Sequence, residues 1–416
     1  MFKSIIRNAS WLFVAELANK AVLLFISIVI ARLFGDEIYG RFGYALSLIT
    51  LFSVMADFGI NNYLIREIAR DKTRASEFIG NGLVLKIFFS AFTVALIAIT
   101  MYSIPSVSSG IQLFMWILVF YLIFNSYTTF SKSIYRSFEK MQYEACIKIL
   151  ESIILMVYFG MAYLVWRNVY VFVGGLAFAS GISFFISLFW IKKFFTKFSI
   201  HIRKETISIL LRHSWPFAIA SIFVTAYFNI DTVMVKWIRG DEEAGWYSAA
   251  YNFIFAFSLI PSLMSSAFYP VLSRVHHDFI TFRHKIHVYM LSISFVGLML
   301  SALTVLFSKY IITLVYSVEY TNSVHSLRIL ACTLPFLFLS NFMGTVLASL
   351  NRQMIGTVIV GFSALFNIIL NYVLISQSGQ VGAAIASFFT FFLMCMALVV
   401  AYVFVMKYQM KPLENL

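Results

Sequence analysis

Long, nearly uninterrupted runs of apolar residues alternate with short polar segments along the whole chain. A helix of about 20 apolar residues crosses the hydrocarbon core of a bilayer, and by this measure the pattern predicts about twelve transmembrane helices. The runs are continuous rather than alternating, so transmembrane strands are not expected. The pattern therefore predicts an all-α polytopic membrane protein. The predicted spans lie near residues 10–33, 40–64, 78–101, 111–131, 146–166, 169–191, 213–238, 246–272, 287–307, 324–349, 355–376 and 382–405.

The composition supports a membrane location. The chain is 61% hydrophobic and 12% charged, whereas a soluble domain carries roughly 25% charged residues. A net charge of +13 on a soluble chain would indicate a nucleic-acid partner. Here most of the 31 lysines and arginines fall in the segments on one side of the predicted spans, the side of both termini. By the positive-inside rule both termini are cytoplasmic, and no nucleic-acid partner is expected.

An internal repeat relates the two halves of the chain. A Gly-Asp-Glu triplet begins at Gly35 and recurs at Gly240, and at the same offset Gly40 matches Gly245. Each half holds an even number of spans, so both halves insert in the same direction. Such repeats are related by an axis along the membrane normal and leave a cavity between them.

The domain prediction follows from this repeat. Residues 1–191 and 213–416 form two parallel six-helix lobes around a central cavity. The segment 192–212 between them is basic and carries interspersed isoleucines. We predict that it is an amphipathic linker on the cytoplasmic leaflet.

Enzyme motifs are absent from the sequence. There is no Walker A sequence, no GxSxG and no HExxH, so an enzyme, an ATPase or a bound cofactor is not expected. A loop with four histidines and Asp278 leaves a metal site open. Its spacing matches no familiar ligand set, and a basic interfacial loop is favoured over a metal site. The histidines are His276, His277, His284 and His287.

Ionisable residues within predicted spans are the main functional candidates, because burying them in a membrane is costly. Glu16, Asn19 and Lys20 share one face of the first helix, with Glu16 and Lys20 in the favourable order for a helical ion pair. Asp57 lies in the second span and Lys86 in the third. These residues either neutralise one another structurally or line a wet, charged cavity. Lys86 has the further possibility of reaching the inner headgroups.

Three later spans carry polar pairs at helical spacing. Lys148 is close enough to a span end to reach the headgroups, and this position is favoured for it. Asp231 is either a structural hydrogen bonder or a functional group. The pairs are Lys148 with Glu151, Tyr227 with Asp231, and Asn367 with Asn371.

The stretch from Phe13 to Arg70 resembles the start of Wzx-type O-antigen and polysaccharide flippases of the MATE-like superfamily. The resemblance rests on a polar first helix, the turn ARLFGDEIYGRFGYA and a second helix ending ADFGINNYLIREIAR. The later segments IDTVMVKWIRGDEEAGWYSAAYNF and LASLNRQMIGTVIVGFSALFNIILNYVLI are also typical of the family.

This resemblance implies a flippase that moves undecaprenyl-pyrophosphate-linked oligosaccharide across a bacterial inner membrane by alternating access. Coupling to H⁺ or Na⁺ is expected, and the partners would be membrane lipids, a polysaccharide polymerase and a chain-length regulator. Lys20 and Lys86 would contact the diphosphate, in a cavity that also holds Glu16, Asn19 and Asp57. The candidates for ion coupling are Asp57, Glu151 and Asp231.

Other functions remain open on the sequence. A MATE-type drug or metabolite antiporter would share the fold and couple a cation through an acid such as Asp57 or Asp231. A lipid II flippase would have more spans than this chain. A glycan polymerase would carry a large outer loop, which is not predicted here.

Overall fold

The computed structural model describes residues 2–103, 109–195, 202–275 and 279–409, and these residues contain helices but no strand. Short 3₁₀ or π turns join some of the helices. The helices are α1 (Phe2–Asp57), α2 (Ile60–Arg70), α3 (Ala75–Ser103), α4 (Ser109–Ser137), α5 (Met141–Val165), α6 (Val169–Trp190), α7 (Lys204–Arg239), α8 (Asp241–Ala256), α9 (Leu259–Val275), α10 (Phe279–Val315), α11 (Ser323–Ala331), α12 (Leu334–Ser349) and α13 (Gln353–Gln409).

The spans are counted from helix length and hydropathy. Within the described ranges, nine helices are long and apolar enough to cross a membrane, and the bent segment through α11 and α12 makes ten. The 56 residues of α1 and 57 of α13 are far longer than a bilayer core of about 30 Å needs at 1.5 Å per residue. Each contains a non-helical glycine, Gly35 in α1 and Gly379 in α13. Dividing both helices there gives twelve spans, which confirms the predicted fold class.

The two glycines that begin the repeated triplet have similar backbone conformations. Gly35 has φ 78° and ψ 176°, and Gly240 has φ 103° and ψ −171°. This region is accessible almost only to glycine, because any Cβ would clash with the backbone. The sequence repeat is therefore also a repeat of local structure.

The next pair of repeated glycines lets the two turns touch. A Cβ on Gly40 would meet the carbonyl oxygen of Asp241, and a Cβ on Gly245 would meet the carbonyl oxygen of Asp36. Arg41 strengthens the contact by donating from Nε to the Asp241 carboxylate at 3.1 Å. We call this reciprocal arrangement the turn contact.

The chain forms two compact units, and the turn contact lies within the second. Their boundary falls inside α7, after Thr225, and not in the predicted linker 192–212. The helix α7 begins at Lys204, so the end of that linker is part of a long helix. Residues 196–201 of that linker lie outside the described residues. The first unit is Met1–Ile30 with Tyr44–Thr225, and the second is Ala31–Gly43 with Ala226–Leu416.

An apolar cluster at one end of the first unit fixes α2, α3 and α4 together. Tyr63, Phe78 and Phe130 are buried within it. Tyr135 joins the same cluster, and its hydroxyl donates to the backbone carbonyl of Ser187 at 2.9 Å. This packing holds α4 in the position from which its polar face meets α5.

Candidate functional site

Polar and charged side chains of α1, α4 and α5 line a cavity of about 150 Å³ in the first unit. They come from consecutive turns of each helix, so each helix presents one polar face to the cavity. Apolar residues, including Leu23, Leu155 and Leu176, complete the wall. We call this space the charged cavity. Its polar lining residues are Glu16, Asn19, Tyr121, Asn125, Lys132, Lys148 and Glu151.

Four side chains of alternating charge form a continuous chain beside the cavity. The Glu144 side chain is fully buried and accepts two 2.7 Å hydrogen bonds from Arg136. Lys148 lies 3.0 Å from the same carboxylate and donates to Glu16 at 2.7 Å. Such short, charge-assisted contacts are the strong class of hydrogen bond. The arrangement neutralises buried charge and also fixes where each ammonium and carboxylate group lies.

A second ion pair closes the other side of the cavity. The Lys132 ammonium lies 3.6 Å from the Glu151 carboxylate, and both side chains are largely buried. The Asn19 amide donates to Ser152 at 3.2 Å. The structure thus brings Glu16, Asn19 and Glu151, all selected from the sequence, to one site.

Lys20 lies next to this group, half-buried on α1. It interacts electrostatically with Glu16 and Lys148. The Glu16 carboxylate lies one turn before Lys20 on α1, and it accepts a hydrogen bond from Lys148 of α5. The prediction that Lys148 extends to the headgroups is therefore wrong, because its ammonium is held by two carboxylates.

Lys86 and Asp57 are not among the residues that line the charged cavity. The Lys86 side chain is fully buried, and its ammonium lies 3.2 Å from the Asp57 carboxylate. The rings of Tyr127 and Phe130 lie within 6.0 Å and 5.8 Å of that ammonium. Lys86 was expected to face a water-filled cavity, but in this structure it is part of a buried ion pair.

Three members of the charged site were not selected from the sequence. Lys132, Arg136 and Glu144 all lie outside the predicted spans, between residues 131 and 146. Their signal is helical spacing. Glu144 lies four residues before Lys148 and seven before Glu151, so all three share one face of α5.

The second unit contains a different buried polar site, centred on Asp231. Its carboxylate accepts hydrogen bonds from Tyr247 at 2.6 Å, Ser387 at 2.5 Å and Asn371 at 2.6 Å. The Asp231 residue is 3% exposed. None of these three donors is cationic, which is unusual because an unpaired buried carboxylate is costly.

The asparagines of α13 extend this site. The Asn371 amide also donates to Asn367 at 2.9 Å, and Asn367 lies 3.5 Å from Thr390. The Asn371 side-chain oxygen has no hydrogen-bond partner among the described residues. Carboxylate, amide and hydroxyl oxygens are the ligand atoms that hard cations prefer. We call this group, with Tyr247 and Ser387, the Asp231 site.

The described residues contain no group of three or more His, Cys, Asp or Glu side chains arranged to hold a metal ion. Residues 276–278, which include two histidines of the candidate loop, lie outside the described residues.

Comparison with solved structures identifies the fold. The lipid II flippase MurJ superposes with a TM-score of 0.76 at 18% identity, covering 94% of this chain and 87% of that chain. A multidrug resistance MATE family transporter gives 0.73 at 15% identity, covering 96% of both chains. A MOP superfamily transporter from Pyrococcus furiosus gives 0.62 at 14% identity, covering 97% of this chain and 96% of that one. The protein is thus a multi-pass membrane protein with the fold of MOP superfamily transporters.

Comparison with sequence families is more specific. Residues 5–276 match the family described as polysaccharide biosynthesis protein, and residues 216–373 match the MatE family. The chain belongs to the polysaccharide biosynthesis protein family, since that match covers well over half of its length. A search of curated protein sequences found no significant match.

Proposed function

We propose that this protein is a flippase for undecaprenyl-pyrophosphate-linked oligosaccharide, and that it carries the glycan-diphosphate head across the membrane. The observation that carries the proposal is the charged cavity of the first unit, together with Lys20 beside it. A glycan diphosphate is too polar to enter about 30 Å of hydrocarbon unaided. A family of polysaccharide biosynthesis proteins with a transporter fold is a natural place for such a carrier.

The electrostatics of the site suit a diphosphate. Lys20 and Lys132 place ammonium groups at a partly buried position, where attraction to a phosphate exceeds that in bulk water. The carboxylates of Glu16 and Glu151 keep the site close to neutral when no substrate is present. An entering diphosphate would compete with these carboxylates for the lysines, which allows binding that is reversible.

Substitution of Lys20 tests the proposal. Lys20→Ala should lower the affinity for the diphosphate about ten- to hundredfold, the effect of losing one charge-assisted hydrogen bond of roughly 1.5–3 kcal/mol. In a host deleted for its own flippase, this variant should therefore restore less surface glycan than the wild type. Lys20→Arg should retain part of the activity because it keeps the charge. Lys140→Ala is the control, since Lys140 is exposed at the start of α5. Normal surface glycan with Lys20→Ala, at normal abundance on a membrane immunoblot, would refute the role of Lys20.

We further propose that transport is coupled to H⁺ or Na⁺ at the Asp231 site. A buried carboxylate without a cationic partner gains stability by taking up a proton or a cation. The Asn371 amide donates to Asp231 and to the Asn367 oxygen. The Asn371 oxygen has no hydrogen-bond partner among the described residues, so it is a candidate ligand for the cation. Asp57 and Glu151 are weaker coupling candidates, because each already has a lysine partner.

Coupling is measured with purified protein in proteoliposomes, using a labelled lipid-linked oligosaccharide. Imposed Na⁺ and pH gradients should each be tried, and one of them should accelerate flipping by the wild type. Asp231→Asn keeps the shape of the side chain and should abolish that acceleration, whereas Asp71→Asn, at the exposed C-cap of α2, should not. Acceleration that survives Asp231→Asn would place coupling elsewhere.

The proposed location is a bacterial inner membrane with both termini in the cytoplasm. Cysteines introduced one at a time at Lys140 and Glu242 test this orientation in a background that keeps the buried Cys395 and replaces the exposed Cys146 and Cys332. An impermeant thiol reagent added to intact cells should label the cysteine at Glu242 and not the one at Lys140. The reverse pattern would invert the orientation. A polysaccharide polymerase and a chain-length regulator are the proposed protein partners.

A MATE-type drug or metabolite antiporter is the second candidate function. It is favoured by the match of residues 216–373 to the MatE family and by the multidrug transporter among the structural neighbours. An antiporter would raise drug resistance in an efflux-deficient host and would not restore surface glycan in a flippase-deleted one. The proposed flippase gives the opposite pair of results.

A further inference from the structure

An open depression with a volume of about 530 Å³ lies between α9 and α12 in the second unit. Its volume falls in the range of about 300–1,000 Å³ that is typical of small-molecule sites. None of the described side chains that line it is charged. We call this space the polar groove. Its polar side chains are Ser262, Ser265 and Tyr269 from α9 and Asn341 and Thr345 from α12.

The polar groove is formed by two helical stripes. The α9 residues are spaced by three and then four positions, and Asn341 and Thr345 are four apart, so each set lies on one face of its helix. Both helices belong to predicted membrane spans. A stripe of hydroxyl and amide groups facing lipid would be costly, because hydrocarbon offers no hydrogen-bond partners. The groove is therefore expected to hold water or a polar ligand.

One hydroxyl in the groove lacks a partner. Ser265 is 3% exposed, and its hydroxyl oxygen makes no hydrogen bond with any described residue. Buried polar groups are nearly always hydrogen-bonded. Thr345 donates its proton to the Asn341 backbone carbonyl at 3.1 Å, which leaves its lone pairs available as acceptors. The groove therefore offers both donors and acceptors to a ligand.

We propose that the polar groove binds a neutral sugar residue of the transported glycan, an inference that rests on the proposed flippase function. Sugar hydroxyls donate and accept hydrogen bonds, which matches Ser265, Thr345 and the exposed Asn341 amide. The ring of Tyr269 gives an apolar surface for the C–H face of a sugar. A lining without charge selects against free diphosphate and against ions, which suit the charged cavity instead.

Gly344 provides a direct test, because it lines the polar groove and a Cβ added there meets no atom within 4 Å. The side chain of Gly344→Leu therefore starts in open space and extends into the groove. Gly356→Leu is the matched control, since Gly356 is also a half-buried helical glycine of the second unit with open space at its Cβ, and it does not line the groove. Both changes replace glycine by a better helix former, so their effects on helix stability should be alike.

The probe is the neutral oligosaccharide released by mild acid from the host's lipid-linked precursor, titrated calorimetrically into the purified full chain. Gly344→Leu should weaken its binding by about tenfold or more, equal to 1.4 kcal/mol, while Gly356→Leu should leave it unchanged. Ser265→Ala should also weaken binding, although it removes no hydrogen bond to any residue that the structure describes. Wild-type affinity in both Gly344→Leu and Ser265→Ala would overturn the inference.

Inorganic pyrophosphate and glycan display separate this inference from the proposed function. Gly344→Leu should bind pyrophosphate as the wild type does, because the charged cavity is intact. If the wild type restores surface glycan while Gly344→Leu and Ser265→Ala both bind the oligosaccharide with wild-type affinity, the flippase stands and the sugar site is wrong. If the wild type restores no glycan but binds the oligosaccharide in a Gly344-dependent way, the sugar site stands and the flippase is wrong.

Discussion

Neutralising Glu144 should destabilise the first unit, because this carboxylate is the buried centre of its chain of ion pairs. Its carboxylate is fully buried and is contacted by Arg136 at 2.7 Å, twice, and by Lys148 at 3.0 Å. Removing one partner of a buried ion pair costs about 3–5 kcal/mol. Arg136 is 44% exposed and can turn towards water, and Lys148 keeps Glu16 at 2.7 Å. We therefore expect Glu144→Gln to cost about 3 kcal/mol, the lower end of that range.

Unfolding of the purified protein in mixed micelles with increasing SDS, followed by tryptophan fluorescence, measures this cost. The control is Glu37→Gln, because the Glu37 carboxylate is exposed and Arg41 keeps its contact with Asp241, so the loss should be less than about 1 kcal/mol. The double variant Arg136→Gln/Glu144→Gln should recover part of the loss, since no unpaired charge from that pair remains. A loss for Glu144→Gln as small as that for Glu37→Gln would refute the reasoning.

Two further substitutions test other parts of the fold. Gly40→Ala should lower the amount of protein on a membrane immunoblot, because the added Cβ would meet the Asp241 carbonyl oxygen. Gly356→Ala is the control and should be neutral or stabilising. Equal abundance of the two variants would show that the turn contact can accommodate a methyl group. Asp57→Asn should lower the melting temperature in detergent, because it leaves the buried Lys86 ammonium unpaired. Adding Lys86→Met should restore the melting temperature. A double variant as unstable as the single one would refute the importance of this ion pair.

The spans were predictable because their signal is local. Every apolar run had to be long enough to cross a bilayer, and the two longest helices were divided correctly because polar turns with Gly35 and Gly379 interrupt the runs. The repeated Gly-Asp-Glu triplet also carried its meaning in the sequence, as the matching conformations of Gly35 and Gly240 show.

Pairing between helices was harder to predict. Glu16 was matched with Lys20, its neighbour on the same helix, but its hydrogen bond comes from Lys148 on α5. Lys86 and Asp57 were placed near Lys20, but they pair with each other. Spacing along one helix predicts which residues share a face, whereas the partner of that face depends on tertiary packing.

Uncharged polar sites gave still less signal. Asp231 was selected because a carboxylate in a span is rare. The sequence also showed that the two asparagines of α13 share a helix face, but it did not show that this face meets Asp231. Serine and threonine are common in membrane helices, where they also bond to their own backbone. The stripes that line the polar groove were therefore not distinguished from ordinary helix surface.

The turn contact has the geometry of a symmetric dimer interface. Gly40 touches the turn of Asp241 as Gly245 touches the turn of Asp36, so the contact is self-complementary between equivalent positions. In an isologous interface, residue i contacts residue j of a second copy and j contacts i in return. A single half-length chain with one such glycine could have made both contacts by pairing with itself. In the full chain the two glycines are separate positions, and each has to be retained independently for the same fit to survive.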